Sequence, residues 1–196
     1  MRWFYLIGTI LSGGIIAVSS MLYASCSNFI LASILFAIGI ITITNYHLIT
    51  YNDATMSAKY NEWYMVLFVL FGNIIGCLLV LLFPNMSMAI VTTKLSYTIS
   101  EVFTRAFLGG LVYYLMIIIL NNKPINAILC SMALMMCCEY SVADICFILN
   151  ARVFNVYSLL FIITVLIGNA VGSILANVFF RWYANDKKLQ KETSNH

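Results

Sequence analysis

The sequence predicts an all-α membrane protein with six transmembrane helices in two inverted three-helix repeats, of which the second and fifth helices are broken. Three observations lead to this prediction: composition, six long apolar stretches, and motifs that recur in both halves. Of the 196 residues, 63% are hydrophobic and only 9% are charged, whereas soluble domains carry about 25% charged residues. With so little polar surface to face water, the chain must have the lipid bilayer as its main solvent.

Each of six apolar stretches is long enough to cross a bilayer, which takes about 20 residues of helix. Backbone groups in hydrocarbon must bond within their own segment, so the stretches are predicted to be helices. The two prolines, Pro84 and Pro124, both lie at stretch boundaries, where a missing N–H costs least. The stretches are Trp3–Tyr23, Phe29–Tyr51, Trp63–Phe83, Phe103–Leu120, Ile125–Leu149 and Tyr157–Tyr183.

The connections are too short for a separate soluble domain, so we expect one channel domain over residues 1–186 and a polar cytoplasmic tail over 187–196. The first apolar stretch is too long for a signal peptide and is interpreted as a retained helix. Lysine and arginine collect on cytoplasmic flanks, which predicts a multi-pass protein of the plasma or inner membrane with both termini inside. The cations on the predicted inner side are Arg2, Lys59, Lys123, Arg181, Lys187, Lys188 and Lys191, and those outside are Lys94, Arg105 and Arg152.

The two halves share glycine motifs at a spacing of 96 residues. Gly13-Gly14 recurs as Gly109-Gly110, and Gly-Asn-x-x-Gly beginning at Gly72 recurs at Gly168. Halves of three helices each must have opposite topology, so the repeats, about 1–92 and 93–186, are predicted to be inverted, an architecture of transporters and channels. The glycines equally suit close helix packing. Between them, Asn73 and Asn169 either bond across helices or line a pore.

Polar residues enter the second and fifth helices of the set. Ionisable groups deep in a bilayer are costly and normally face water or a partner, and a broken helix exposes free backbone groups to a solute. We therefore predict breaks near His47–Asp53 and near Glu139–Asp144. Glu139 either bonds a neighbouring helix or organises a pore, and His47 is either a buried, hydrogen-bonded histidine or a pore-lining one.

These motifs resemble the formate/nitrite transporter family over nearly the whole chain. The family stretch Gly-Ala-Glu-Leu-Phe-Thr-Gly-Asn is similar to residues His47–Asn52, and Glu-His-Ser-Val-Ala-Asn is similar to Glu139–Asp144. The resemblance implies an aquaporin-like fold in a homopentamer, with a separate pore in each subunit for formate, nitrite, lactate, acetate or hydrosulfide. It implies the following site residues: Lys94 attracts anions, Thr50 and Tyr140 flank the pore centre, and Leu48 and Ile49 form an apolar constriction, with His47, Glu139, Asn73 and Asn169 along the path.

The chain departs from the family at the central histidine, which is Tyr140 here. Tyrosine donates a hydrogen bond but rarely gives up its proton at neutral pH. His47 stands where the family has glutamate, and Asp144 where it has asparagine. Selectivity and proton coupling are therefore open, and a channel for a small neutral solute on the same fold is the alternative.

Other function classes have less support. Basic residues are not interleaved with aromatics, so no nucleic-acid partner is expected. The histidines, His47 and His196, form no nucleophile–base pair or metal set, so we expect no enzyme and no cofactor. The six cysteines are interpreted as packing residues. An accessory membrane subunit without a pore remains a further alternative.

Overall fold

The computed structural model describes residues 2–57, 62–119 and 124–194, and every regular element in these ranges is helical. Lys59, Lys123 and His196, which entered the predictions above, lie outside the described residues. A short 3-10 turn, Leu78–Leu82, follows the fourth helix. In chain order the helices are α1 Arg2–Ser25, α2 Phe29–Asn45, α3 Tyr51–Ser57, α4 Trp63–Cys77, α5 Met88–Lys94, α6 Ile99–Ile119, α7 Pro124–Cys137, α8 Ser141–Ala151 and α9 Val156–Ser194.

Three of these segments are by themselves long and apolar enough to cross a membrane: Phe4–Ser25, Trp63–Leu82 and Val156–Ala184. The pair α7 and α8 qualifies as one broken span, with a bend of 56° between its two parts. Helix α2 is a shorter apolar helix. The all-α membrane architecture predicted from composition is thus confirmed.

Both predicted breaks are present. Helix α2 stops at Asn45 and α3 restarts at Tyr51, while α7 stops at Cys137 and α8 restarts at Ser141. The first break contains His47, whose φ of 53° lies in the left-handed region. Both breaks end earlier than predicted, so Asp53 and Asp144 lie in the first turns of α3 and α8, while Glu139 lies within the second break.

Capping boxes start two helices where the chain re-enters regular structure. At α3, the Thr50 backbone N–H donates to the Asp53 carboxylate at 2.8 Å, and the Asp53 N–H donates back to the Thr50 hydroxyl at 3.4 Å. At α6, Thr98 and Glu101 make the same pair of bonds, at 2.8 and 3.3 Å. Reciprocal bonds of this kind satisfy backbone donors that a helix start leaves free.

Glycines bring the long helices of each half into backbone contact. A methyl group on Gly13 would lie 2.2 Å from the Asn73 carbonyl oxygen, and one on Gly110 would lie 2.3 Å from that of Asn169. Gly13 and Gly110, which are 97 positions apart, are therefore equivalent. The predicted pairing of Gly13 with Gly109, at an offset of 96, is wrong by one residue. The same shift relates two further sets of contacts: Gly76 with Ile10 and Gly14, and Gly172 with Phe107 and Leu111.

One asparagine of the second half holds the segment that joins the halves. The Asn150 side-chain oxygen accepts from the N–H groups of Met86 and Ser87, at 2.9 and 3.1 Å. Its amide nitrogen donates to the carbonyls of Val80 and Pro84, at 3.1 and 3.0 Å. All four bonds reach back into the 3-10 turn and the loop after it, so α8 is fixed to the end of the first half.

The described part of the predicted polar tail is helical. Residues 187–194 continue α9 as helix, so no change of backbone structure marks the start of the tail at 187.

Candidate functional site

The asparagine of the first Gly-Asn-x-x-Gly motif braces the break between α2 and α3. The Asn73 side-chain oxygen accepts from the Tyr51 N–H at 2.7 Å, and its nitrogen donates to the Ile49 carbonyl at 3.3 Å. The same nitrogen donates to the Thr9 carbonyl on α1 at 2.8 Å. The side chain is fully buried. Of the two roles left open for it, bonding across helices is the one observed.

Asn169 makes the matching set of bonds in the second half. Its oxygen accepts from the Ser141 N–H at 3.0 Å, and its nitrogen donates to the carbonyls of Glu139 and Ala106 at 2.9 and 2.8 Å. Because free backbone groups in a break are costly to bury, each motif asparagine stabilises the interruption of its own half.

A further pair of bonds joins the two breaks. The Asn52 side chain donates to the Asn169 oxygen at 3.1 Å and accepts from the Ser141 hydroxyl at 2.9 Å. All three residues are buried. The starts of α3 and α8, which come from different halves, are therefore held together in the interior.

A carboxylate lies beside this junction in a group that we call the acidic cluster, comprising Thr50, Asp53 and Tyr113. The Tyr113 hydroxyl donates to Asp53 Oδ1 at 2.9 Å, and the Thr50 hydroxyl donates to Asp53 Oδ2 at 2.8 Å. The two hydroxyl oxygens are 3.1 Å apart. Asp53 is half-buried, while Thr50 and Tyr113 are buried.

Tyr140, which stands where the resembled family has histidine, is buried next to the acidic cluster. Its ring stacks on Tyr113 with centroids 5.5 Å apart and meets the edge of Phe36 at 6.2 Å. Its hydroxyl makes no hydrogen bond to any residue in the described ranges. A buried hydroxyl without a partner is costly, which marks this atom as one with unused bonding capacity.

Aromatic side chains form a continuous series through the interior, which we call the aromatic row. Its members are Phe147, Tyr23, Phe36, Tyr140 and Tyr113, and successive ring centroids are 6.2, 6.5, 6.2 and 5.5 Å apart. All but Tyr23 are buried. The acidic cluster lies at the Tyr113 end of the row.

The other end of the row meets a group of four charged residues, the ion-pair cluster. Lys94 lies 6.0 Å over the Phe147 ring and forms ion pairs with Glu139 and, at 2.9 Å, with Asp144. Arg105 Nε bonds the second Glu139 oxygen at 3.1 Å. Two cations and two buried carboxylates give a formal net charge of zero. Of the two roles considered for Glu139, contact with neighbouring helices is observed, through ion pairs, and a role in organising a pore stays a prediction.

Three predicted site residues of the first break, His47, Leu48 and Ile49, differ in their burial. His47 is exposed on the protomer, so the interpretation as a buried, hydrogen-bonded histidine is wrong. Leu48 and Ile49 are half-buried and pack against the core, and the Ile49 carbonyl accepts from the Ser12 hydroxyl at 2.8 Å. The Thr50 hydroxyl lies 3.1 Å from that of Tyr113, a member of the aromatic row.

Three contributors to the site were missed by the sequence analysis: Tyr113, Phe36 and the pairing of Arg105 with Glu139. Tyr113 is one of 12 tyrosines, and nothing in its local spacing distinguishes it. The capping pattern Thr-x-x-Asp at Thr50 was a usable signal for the position of Asp53.

The described geometry matches a solved channel. The chain superposes on a structure described as a pentameric formate channel with formate bound, with a TM-score of 0.71, covering 94% of this chain and 97% of that one. This chain has the fold of a formate channel. Sequence identity over the match is 15%, so the likeness is one of fold. Comparison with models of known families, and with curated protein sequences, gave no match.

Proposed function

We propose that this chain is a membrane channel for small monovalent anions that pass as their conjugate acids: formate, nitrite, hydrosulfide or short carboxylates. In this proposal it works as a homopentamer in the plasma or inner membrane, with both termini cytoplasmic and two inverted repeats forming each pore. The observation that carries the proposal is the aromatic row, which runs between two polar clusters at the helix breaks of a formate-channel fold.

The chemistry of the row favours the acid over the anion. A charged carboxylate without partners in an apolar passage has a large desolvation cost, whereas a neutral acid does not. Tyr140 offers a hydroxyl that has no hydrogen bond within 3.5 Å among the described residues, and the hydroxyls of Tyr113 and Thr50, 3.1 Å apart, follow it. Leu48 and Ile49 are the proposed apolar constriction.

Lys94 is proposed to attract the solute as it arrives at the pore. Its ammonium is already paired with two carboxylates, so the field it offers an incoming anion is weaker than that of a lone cation. Because its net charge is zero, the ion-pair cluster repels an anion less than a negatively charged cluster would. Its charges also favour a dipolar neutral acid. This supports passage of the protonated form.

A flux measurement tests the proposal. Purified protein in liposomes is mixed with formate, nitrite, hydrosulfide or acetate in a stopped-flow instrument at several outside pH values, with empty liposomes as the control for leakage. At pH values above the pKa of the solute, the acid fraction rises about tenfold for each unit by which the pH falls, so uptake above the control should rise steeply as outside pH falls. Uptake that ignores the pH gradient would contradict the proposal.

Two variants of the central tyrosine separate its ring from its hydroxyl. Tyr140→Phe keeps the row and removes the free hydroxyl, and should slow uptake of acids. Tyr140→His restores the residue of the resembled family and should raise it. If both variants match the wild type, Tyr140 is not on the path.

The neutral ion-pair cluster also favours a second candidate, a channel for a small neutral solute. Osmotic swelling of the same liposomes in small amides and polyols distinguishes the two. Swelling without any acid uptake would select the neutral-solute channel.

A further inference from the structure

We propose that Asp53 is the proton acceptor of this channel, at the Tyr113 end of the aromatic row. This inference rests on the proposed function: it says where an acid that has crossed the row gives up its proton. No residue of the row itself is suited to that step, since tyrosine holds its proton at neutral pH.

The contacts of Asp53 go beyond what a helix cap needs. Its oxygen Oδ2 receives the Thr50 N–H and hydroxyl, both at 2.8 Å, as in an ordinary capping box. The capping box of α6 is built the same way by Thr98 and Glu101 on an exposed surface, where no tyrosine among the described residues donates to the Glu101 carboxylate. The 2.9 Å bond from Tyr113 to Oδ1 is therefore additional, and it connects the carboxylate to the row.

The charges around Asp53 differ from those around the other buried acids. Titratable groups facing it are the phenols of Tyr5 on α1, Tyr113 on α6 and Tyr140 at the start of α8. Within the described ranges no cation comes within 4.0 Å of its carboxylate, whereas Glu139 and Asp144 are both paired with cations. Asp53 is also only half-buried as a residue, whereas Glu139 and Asp144 are buried.

An unpaired carboxylate at this place decides which form of the solute can pass. A formate anion approaching Asp53 is repelled by a like charge, whereas formic acid is a hydrogen-bond donor that the carboxylate accepts. The O–H bond of formic acid breaks as an O–H bond to an Asp53 oxygen forms, giving formate and a neutral Asp53. The Asp53 carboxylic acid then gives its proton to water, restoring the carboxylate and yielding hydronium.

The competing explanation is that Asp53 only caps α3. A cap contributes to stability, commonly about 1 kcal/mol, and has no effect on the pH dependence of flux. The two explanations therefore predict different outcomes for the same variant.

The experiment uses the full chain in liposomes that contain a trapped pH indicator, with formate added outside. For the wild type we expect internal acidification that follows formate uptake. Asp53→Asn should lower acidification at least tenfold and flatten the pH profile of uptake. Glu101→Gln removes the equivalent capping carboxylate of α6 and should leave both unchanged.

A second pair of variants avoids the cap altogether. Tyr113→Phe removes the hydroxyl that bonds Asp53 and should lower acidification about threefold, the effect of losing one hydrogen bond. The neighbouring Tyr114→Phe removes a hydroxyl bonded to Asn177 at 3.4 Å, outside the acidic cluster, and should have no effect. This pair decides the question if Asp53→Asn fails to fold, as judged by its circular dichroism.

Each outcome has one meaning. An Asp53→Asn profile equal to that of Glu101→Gln overturns the proton-acceptor role and leaves the proposed function intact, whereas wild-type uptake without acidification means that the anion crosses unprotonated and overturns passage of the acid as well. Where Asp53→Asn does not fold, equal acidification by Tyr113→Phe and Tyr114→Phe overturns it. Wild-type protein that moves no formate beyond empty liposomes refutes the proposed function instead.

Discussion

Replacement of the second motif asparagine, Asn169→Ala, should destabilise the chain more than the equivalent Asn73→Ala. The two side chains occupy matching places and are equally buried. The expected difference comes from how many of their partners have an alternative bond.

In Asn169→Ala, three buried polar groups lose a partner: the Glu139 carbonyl, the Ser141 N–H and the Asn52 amide. The Ala106 carbonyl lies within α6 and keeps its place in that helix. At about 1 kcal/mol for each unpaired group, the low end of the usual range and close to values for membrane helices, the cost is about 3 kcal/mol.

In Asn73→Ala the loss is smaller. The Ser12 hydroxyl, which has one proton, can still donate to the Ile49 carbonyl at 2.8 Å, and the Thr9 carbonyl lies within α1 and keeps its place in that helix. Only the Tyr51 N–H is left unpaired, so the cost is about 1 kcal/mol.

Thermal unfolding in detergent, followed by circular dichroism at one scan rate, measures the difference. At about 2–4 °C for each kcal/mol in a chain of this size, Asn169→Ala should lower the midpoint by about 6–12 °C and Asn73→Ala by about 2–4 °C. Asn177→Ala on the same helix, where a half-buried amide donates to the Met56 carbonyl at 2.6 Å, is the control and should resemble the smaller loss. Equal midpoints for Asn169→Ala and Asn73→Ala would refute the reasoning.

Further predictions concern neighbouring glycines, the ion-pair cluster and a helix end. Gly13→Ala should lower the unfolding midpoint, because the new methyl group would overlap a backbone oxygen at 2.2 Å, whereas Gly14→Ala meets its nearest atom only at 3.9 Å and should be tolerated. Lys94→Met leaves the buried Asp144 without its cation, while Glu139 keeps Arg105, and should cost about 3–5 kcal/mol; adding Asp144→Asn should recover part of that loss in the same unfolding assay, and no recovery would argue against the observed pairing. Arg152 ends α8 at a φ of 57°, so Arg152→Gly should unfold at the same or a slightly higher temperature, and a clear drop would count against this backbone conformation.

Much of the fold could be predicted because lipid restricts the choices. Apolar length identifies spans, and polar residues within two spans predict breaks, which the structure contains between Asn45 and Tyr51 and between Cys137 and Ser141. The register of the repeat was off by one because identical letters, Gly-Gly against Gly-Gly, were aligned. The structure pairs Gly13 with Gly110 through what each glycine touches.

The site was less predictable because its contacts join distant parts of the chain. Tyr113 reaches Asp53 across 60 positions, and Arg105 reaches Glu139 across 34. Periodicity predicts which face of a helix is buried but not which residues that face contacts. Neither the exposure of His47 nor the pairing of Lys94 could therefore be predicted. The role of Tyr140 as a site residue stays a prediction.

The bonds of Asn150 and Asn52 have a consequence for how the chain matures in the cell. A ribosome delivers the first three spans to the bilayer well before α8 and α9 exist, and at that stage the Met86 and Ser87 N–H groups and the Asn52 amide have none of their later partners. The first repeat must therefore remain loosely packed in the bilayer until the second repeat is inserted. Two fragments divided between Ser87 and Met88, where the loop ends and α5 begins, should each be degraded when expressed alone and should survive when co-expressed.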